Sequence, residues 1–171
     1  PPTPPAAGAA GATDKLFAAY LDVQRALGAP QQSANPVDPT PVIDAAKALD
    51  ADGDPASLGA KVRAAAEAMA GKPVAEQRKL FKPLSEAAIA LAQSRPPSSA
   101  VAAKLYVAFC PMAPGDGARW LQATEAIANP YFATRMKECG TIERTLPTGV
   151  APATGPTTTT ATAPAAGGHV H

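Results

Sequence analysis

The sequence predicts a mainly α-helical fold: an up-and-down bundle of about four helices, followed by a small C-terminal subdomain with a short β-hairpin or strand pair. Two observations predict the bundle, since apolar residues recur at helical spacing up to about residue 94 and the connections between these stretches are short. A third predicts the β element, because segments rich in Val, Tyr, Phe, Ile and Thr follow the proline-rich stretch SRPPSS. At 171 residues, one domain is expected.

The first two helices are predicted from apolar stripes and terminal residues. The stripe of the first helix consists of Leu16, Tyr20, Val23 and Leu27. Gly28 follows as a C-terminal stop. After a proline-broken connector, Thr40 is predicted to cap the second helix, with Pro41 at its first position.

The third and fourth helices follow the same logic. Ser57 is predicted to cap a helix that runs through Met69 and ends at Gly71. The fourth, KPVAEQRKLFKPLSEAAIALAQS, contains Pro83, whose ring removes a backbone hydrogen bond and is predicted to kink the helix or to split it at Lys82. Between the second and third helices, DADGDP lacks the later glutamate of a calcium loop and is interpreted as a turn.

The last third of the domain has a different character. VAAKLYVAFC and GTIERTL are predicted to be short strands. ARWLQATEAIA is predicted to be a short helix, and NPYFATRMKE another that starts at Asn129 and Pro130. Pairing of the two strands would bring Cys110, at the end of one, towards Cys139, just before the other.

Composition divides the chain into one domain and two tails. Residues 1–12 and 147–171 are Pro/Ala and Pro/Thr/Ala tracts that are predicted to be disordered, because they offer no large apolar side chains to bury. A single domain is predicted over 13–146, with a motif subdomain at about 100–146. The chain starts with Pro1 and is interpreted as mature or trimmed, without a signal peptide. His169 and His171 in the tail are interpreted as incidental.

Charge and residue types argue against several function classes. Fifteen basic and fourteen acidic residues are mixed along the chain, giving a net charge of +1, so nucleic acid is not an expected partner. No apolar run approaches the roughly 20 residues that span a bilayer. Both histidines lie in the tail, so the domain cannot build a Ser/His or Cys/His dyad, and we expect no enzyme.

Sulfur side chains are concentrated in two short segments, CPMAPGDGARW and MKECG, which hold both cysteines and two of the three methionines. Thiolate and thioether sulfurs are the ligands that select soft cations such as Cu(I) and Ag(I). The spacings Cys-x-Met and Met-x-x-Cys allow one shared site, with Cys110, Met112, Met136 and Cys139 as candidate ligands. Trp120 and Tyr131 are candidates for a water-excluding wall, although core packing explains Trp120 equally.

A structural disulfide is the alternative interpretation of the cysteines. Two cysteines in an exported domain usually pair with each other, and a Cys110–Cys139 bond would stabilise the fold by about 3 to 4 kcal/mol in the chain-entropy model. The methionines would then only fill gaps around aromatic rings. Thiolates that hold Cu(I) cannot at the same time form a disulfide, so the two states exclude each other.

Four motifs in order resemble a bacterial envelope domain family: Cys-Pro-Met-Ala from Cys110, Gly-Ala-x-Trp-Leu from Gly117, Ile-x-Asn-Pro-Tyr-Phe from Ile127 and Met-x-x-Cys-Gly from Met136. EQRKLFKPLSEAAIALA resembles the helix that precedes this block in the family. Members of the family are formally of unknown function, and they occur as exported proteins and at the C-terminus of adaptor (membrane fusion) subunits of copper/silver efflux systems. The resemblance spans about residues 15–146.

The resemblance implies a periplasmic or otherwise exported protein that binds Cu(I), or Ag(I) as its surrogate, for sequestration or for hand-over to efflux components. The alternative is a disulfide-stapled structural or protein-interaction module without metal. Two positions depart from the family pattern. Ala133 stands where a glycine is expected, and Phe109 stands where some relatives carry a histidine, which leaves sulfur as the obvious donor.

Overall fold

The computed structural model describes residues 7–29, 35–50, 57–132 and 134–150. It contains four helices, α1 (Ala7–Gly28), α2 (Thr40–Leu49), α3 (Leu58–Met69) and α4 (Val74–Ser94). Three strands follow, β1 (Leu105–Cys110), β2 (Ala118–Gln122) and β3 (Thr141–Leu146), and they form an antiparallel sheet in the order β2-β1-β3. About half of the described residues are helical.

Helix α1 follows the predicted stripe but starts earlier. All four predicted stripe residues are at most 3% exposed. The helix begins at Ala7, ahead of Thr13, where the sequence analysis placed the start of the ordered domain. At its other end the helix stops at Gly28, as predicted, and the guanidinium of Arg78 donates to the Leu27 carbonyl oxygen from 3.3 Å.

The two short helices differ in how well their first residues were predicted. The prediction that Thr40 caps α2 is wrong, because the N-cap residue is Pro39. The Thr40 hydroxyl donates to the Asp38 carboxylate instead of accepting from a backbone N–H of the helix. The cap at Ser57 is confirmed, because its hydroxyl accepts from the Ala60 backbone N–H at 3.0 Å. The predicted turn DADGDP lies almost wholly in 51–56, outside the described residues.

Helix α4 is continuous from Val74 to Ser94 with Pro83 inside it, so the predicted split at Lys82 is wrong. Proline removes one donor from a helix interior, and this cost is offset where tertiary packing of the helix is extensive. Here the buried residues continue on both sides of Pro83, with Phe81 and Leu84 fully buried.

The sheet confirms two predictions and corrects two others. The strands in VAAKLYVAFC and GTIERTL are present as β1 and β3, and they pair antiparallel. The helix predicted for ARWLQATEAIA is wrong, because Ala118–Gln122 forms β2 and pairs with β1. The helix predicted for NPYFATRMKE is also wrong, since the described residues of this segment form turns and bends. Pairing with β1 overrides a weak local helix preference in the first segment, and in the second the Asn129 side chain bonds loop backbone instead of starting a helix.

The helices and the sheet share one hydrophobic core. Each helix packs against the next along the chain, and α4 also packs against β2. An aromatic series crosses from helices to sheet, with ring centroids 5.4 Å apart for Tyr20 and Phe81, 5.9 Å for Phe81 and Tyr131, and 5.9 Å for Tyr131 and Trp120. Within the described ranges, none of the helices has the length and apolarity required to span a bilayer.

Candidate functional site

The two cysteines lie side by side, with their Sγ atoms 2.8 Å apart and both thiols free. Cys110 is the last residue of β1 and is fully buried, whereas Cys139 lies in the loop before β3 and is half-buried. Strand pairing of β1 with β3 brings the two positions together, as the sequence predicted. We call Cys110 and Cys139 the thiol pair.

The side chain of Cys110 shares a sheet face with Trp120. Ala108 lies opposite Trp120, and Cys110 opposite Ala118, so these alternate residues of β1 and β2 point to the same face. Phe109 points to the opposite face, where the Arg119 guanidinium lies 4.8 Å from its ring centroid. The Phe109 side chain is thus turned away from the Cys110 sulfur.

Asn129 fixes the loop that carries Cys139. Its side-chain amide donates to the Cys139 carbonyl oxygen at 2.7 Å, and its side-chain oxygen accepts from the Tyr131 backbone N–H at 2.9 Å. Its own backbone N–H donates to the Lys137 carbonyl oxygen at 2.8 Å. The prediction that Asn129 starts a helix is wrong, because its fully buried side-chain amide bonds the backbone of a loop. The only signal for this role in the sequence is the residue type, since asparagine side chains often bond nearby backbone groups.

Two glycines let the chain approach the end of β1. Gly140 has a φ of +139°, and a Cβ there would lie 2.9 Å from the Trp120 ring and 3.0 Å from the Phe109 carbonyl oxygen. Gly117 has a φ of +94°, and a Cβ there would lie 2.6 Å from the Phe109 ring. Only glycine adopts these conformations freely in so little space. The motif glycines therefore shape the site.

Helix α4 holds the turn that follows Cys110. The Lys82 ammonium donates to the carbonyl oxygens of Gly115 and Gly117, at 2.7 and 2.9 Å. This contact joins α4 to the turn that follows Cys110. Lys82 is therefore a positioning residue, and it was not among the predicted site residues. A lysine next to Pro83 gave no signal for this role.

The side chains of Met112 and Met136 are 63% and 46% exposed. Their backbones nevertheless lie next to Cys139: the Met136 carbonyl oxygen accepts from the Cys139 N–H at 2.8 Å, and the Met112 backbone is close enough to lower the pKa of the Cys139 thiol. Met136 has a φ of +63°, a left-handed conformation that is uncommon for a residue other than glycine. The ligand role predicted for the two methionines stays a prediction.

Trp120 and Tyr131 are both buried beside the thiol pair. The Trp120 indole N–H donates to Gln122 at 2.9 Å and its ring lies against Gly140. The Tyr131 hydroxyl donates to the Arg119 carbonyl oxygen at 2.9 Å. Burial raises the pKa of the Tyr131 phenol. The role of the two residues as a water-excluding wall stays a prediction.

The pKa of the Cys139 thiol is raised above its ordinary value, chiefly by the hydrogen bond with Cys110 and secondly by burial. The Met112 backbone N–H opposes this shift, because it donates to the thiolate form. The Cys139 thiol therefore holds its proton more tightly than an isolated thiol does.

The sulfur separation suits two chemical states. A disulfide holds its sulfurs about 2.05 Å apart. Two thiolates on one ion lie about 3.8 Å apart in tetrahedral geometry and about 4.6 Å apart in linear geometry when each metal–sulfur bond is about 2.3 Å. The observed 2.8 Å lies between these values, so a disulfide requires the sulfurs to approach by about 0.8 Å, and a shared ion requires them to separate by about 1 to 2 Å. Both soft-ion ligation and disulfide formation at the thiol pair stay predictions at this separation.

Among the described residues, no three side chains of His, Cys, Asp or Glu come together as a metal-binding group, so the thiol pair has no third ligand of these types.

No protein-family model matches the chain, and searches of curated proteins and of solved structures give no match. The family resemblance of the motifs stays a prediction, and the case for a function rests on the site itself.

Proposed function

We propose that the protein binds Cu(I), or Ag(I) in its place, through the thiolates of Cys110 and Cys139 and so sequesters the ion or hands it over in the bacterial envelope. The observation that supports this proposal most directly is the 2.8 Å separation of two free thiols. Thiolates are the side chains that select soft monovalent cations.

The surroundings of the thiol pair support a cation site. Cys110 is buried beside Trp120 and Tyr131, so an ion held there loses much of its contact with water. Asn129 and the Met136 backbone hold Cys139 from two sides. Such supporting hydrogen bonds orient ligands and tune their affinity.

Export to the periplasm and delivery to efflux components belong to the same proposal, and they rest on the resemblance of the motifs. We also infer that α1 to α4 form an up-and-down bundle, since each helix packs against the next. In this role the bundle is a platform, and Lys82 connects it to the site.

An anaerobic titration tests the proposal. Fully reduced protein competes with a chromogenic chelator for Cu(I), and we expect about one equivalent to bind. Cys110→Ser and Cys139→Ser should each weaken binding by at least about tenfold, because one thiolate is lost. Met69→Leu is the matched control, since Met69 is fully buried among the helices and should leave Cu(I) affinity unchanged. Cysteine variants that bind as tightly as the parent would contradict the proposal.

The short sulfur separation also favours a second candidate, a structural or interaction module stapled by a Cys110–Cys139 disulfide. A thiol count on native protein that has never been reduced separates the candidates. Two free thiols per chain support the metal site, whereas none supports the disulfide. Under the disulfide candidate, Met112→Leu and Met136→Leu should cost less than about 1.5 kcal/mol of stability.

A further inference from the structure

We propose that Met112 and Met136 capture incoming Cu(I) at the surface and pass it to the thiol pair, so that they set the rate of loading and not the final affinity. This inference rests on the proposed function. It concerns the chemistry of the site's outer side, where the ion arrives.

The described sulfur atoms are graded by exposure. The two surface methionines are 63% and 46% exposed, Cys139 is half-buried and Cys110 is fully buried. Met69, the remaining methionine, is fully buried in the core. The two exposed methionines are also the ones whose backbones lie next to Cys139.

The backbone geometry keeps these side chains next to the site. Met112 lies two residues after Cys110, and its backbone is close enough to affect the Cys139 thiol. Met136 is held in a left-handed conformation while its carbonyl oxygen accepts from Cys139. Left-handed backbone at a residue other than glycine is costly and persists where the surroundings enforce it. The loop therefore fixes the backbone position from which the Met136 side chain extends.

The order of donors runs from weak to strong. A neutral thioether binds a soft cation reversibly without losing a proton, whereas each thiol must give up its proton before its sulfur binds. When Cu(I) moves inwards, its bonds to the Met112 and Met136 thioethers and the two S–H bonds break, two Cu–thiolate bonds form, and two protons leave to water. Copper stays Cu(I) throughout, so no electron donor or acceptor is needed.

Stopped-flow transfer tests the proposal. A Cu(I) complex of a chromogenic chelator is mixed anaerobically with reduced protein, and the rate of copper loss from the chelator is recorded beside the equilibrium affinity. In the Met112→Leu/Met136→Leu variant, we expect loading to slow by about tenfold or more while the affinity changes by less than about threefold. Met69→Leu is the control, in which both quantities should equal those of the parent.

Three results would overturn the inference. If the double variant loads as fast as the parent, the methionines play no part in capture. If its affinity falls by about tenfold or more, they are resident ligands, as the spacing alone predicts. If the parent protein takes no Cu(I) at equilibrium, the proposed function itself fails, and this result is distinct because no variant is needed to observe it.

Discussion

The helical half of the molecule, residues 7–94, and the sheet half, residues 97–150, use their unusual residues differently. In the helical half, buried Gln77 joins the end of α3 to the connection before α2 by bonding the Met69 and Val37 backbones. In the sheet half, buried Asn129 and Gln122 hold irregular loops around the thiol pair and Trp120. Of the described positive-φ residues only Gly71 belongs to the helical half. The regular helices therefore support the sheet half, whereas the irregular turns of the sheet half position the side chains around the thiol pair.

The largest effect is expected at Gly140. Gly140→Ala should destabilise the fold by about 2 to 5 kcal/mol, because the methyl group meets Trp120 and β1 and the backbone conformation is unfavourable for alanine. Urea denaturation measures the loss. The control is Gly71→Ala in the helical half, where a Cβ meets nothing within 4 Å and only about 1 kcal/mol of backbone strain is expected. Equal losses in the two variants would contradict the crowding inferred at Gly140.

Asn129→Ala separates a site residue from a merely structural one. It should cost about 2 to 4 kcal/mol, because it leaves the Cys139 carbonyl and the Tyr131 N–H without their partner, and it should weaken Cu(I) binding by about 10- to 100-fold. Gln77→Ala is the counterpart in the helical half. It should lose comparable stability in denaturation yet keep the Cu(I) affinity of the parent. If both variants bind Cu(I) as the parent does, Asn129 has no role in the site.

The same comparison explains which features the sequence could predict. Helices follow from local periodicity, so the buried stripe from Leu16 to Leu27 and the N-cap at Ser57 could be predicted from the sequence. Strand β2 depends on pairing with β1, and the loop after it depends on the buried amides of Gln122 and Asn129, whereas their local patterns indicated helices. The predicted approach of Cys110 to Cys139 is confirmed, because it needs only the pairing of two predicted strands.

The supporting residues of the site could not be predicted in the same way. Lys82 contacts Gly115 and Gly117 across more than thirty positions, and Asn129 acts through a buried loop whose shape depends on tertiary packing. Spacing placed four sulfurs in one region, but it did not indicate that the thiols turn inwards and the thioethers outwards.

Alkaline pH should weaken the contact between the halves, where Tyr20 and Tyr131 lie. Burial raises the pKa of both phenols, and unfolded tyrosines ionise near pH 10. Above that pH the unfolded chain releases protons that the folded chain retains, so the free energy of unfolding falls as pH rises. Urea denaturation at pH 8 and pH 11 should show a smaller fall for Tyr131→Phe than for the parent. An identical fall in both would contradict the contribution of Tyr131.

The smallest effect is expected at the exposed ion pair of Arg119 and Glu143, whose atoms lie 2.6 and 2.9 Å apart. Glu143→Gln should cost only about 0.2 to 1 kcal/mol, because water screens exposed pairs. The ion pair lies on the sheet face opposite Cys110, so Cu(I) affinity should not change. A clear loss of affinity in this variant would show that the two faces of the sheet are coupled.

The most direct test of the account is copper K-edge X-ray absorption on the reduced, Cu(I)-loaded protein. We expect a first shell made of sulfur at about 2.3 Å, and we expect that shell to disappear in the Cys110→Ser/Cys139→Ser variant. A shell of nitrogen or oxygen alone, or a sulfur shell that survives the loss of both cysteines, would contradict the claim that the thiol pair is the metal site.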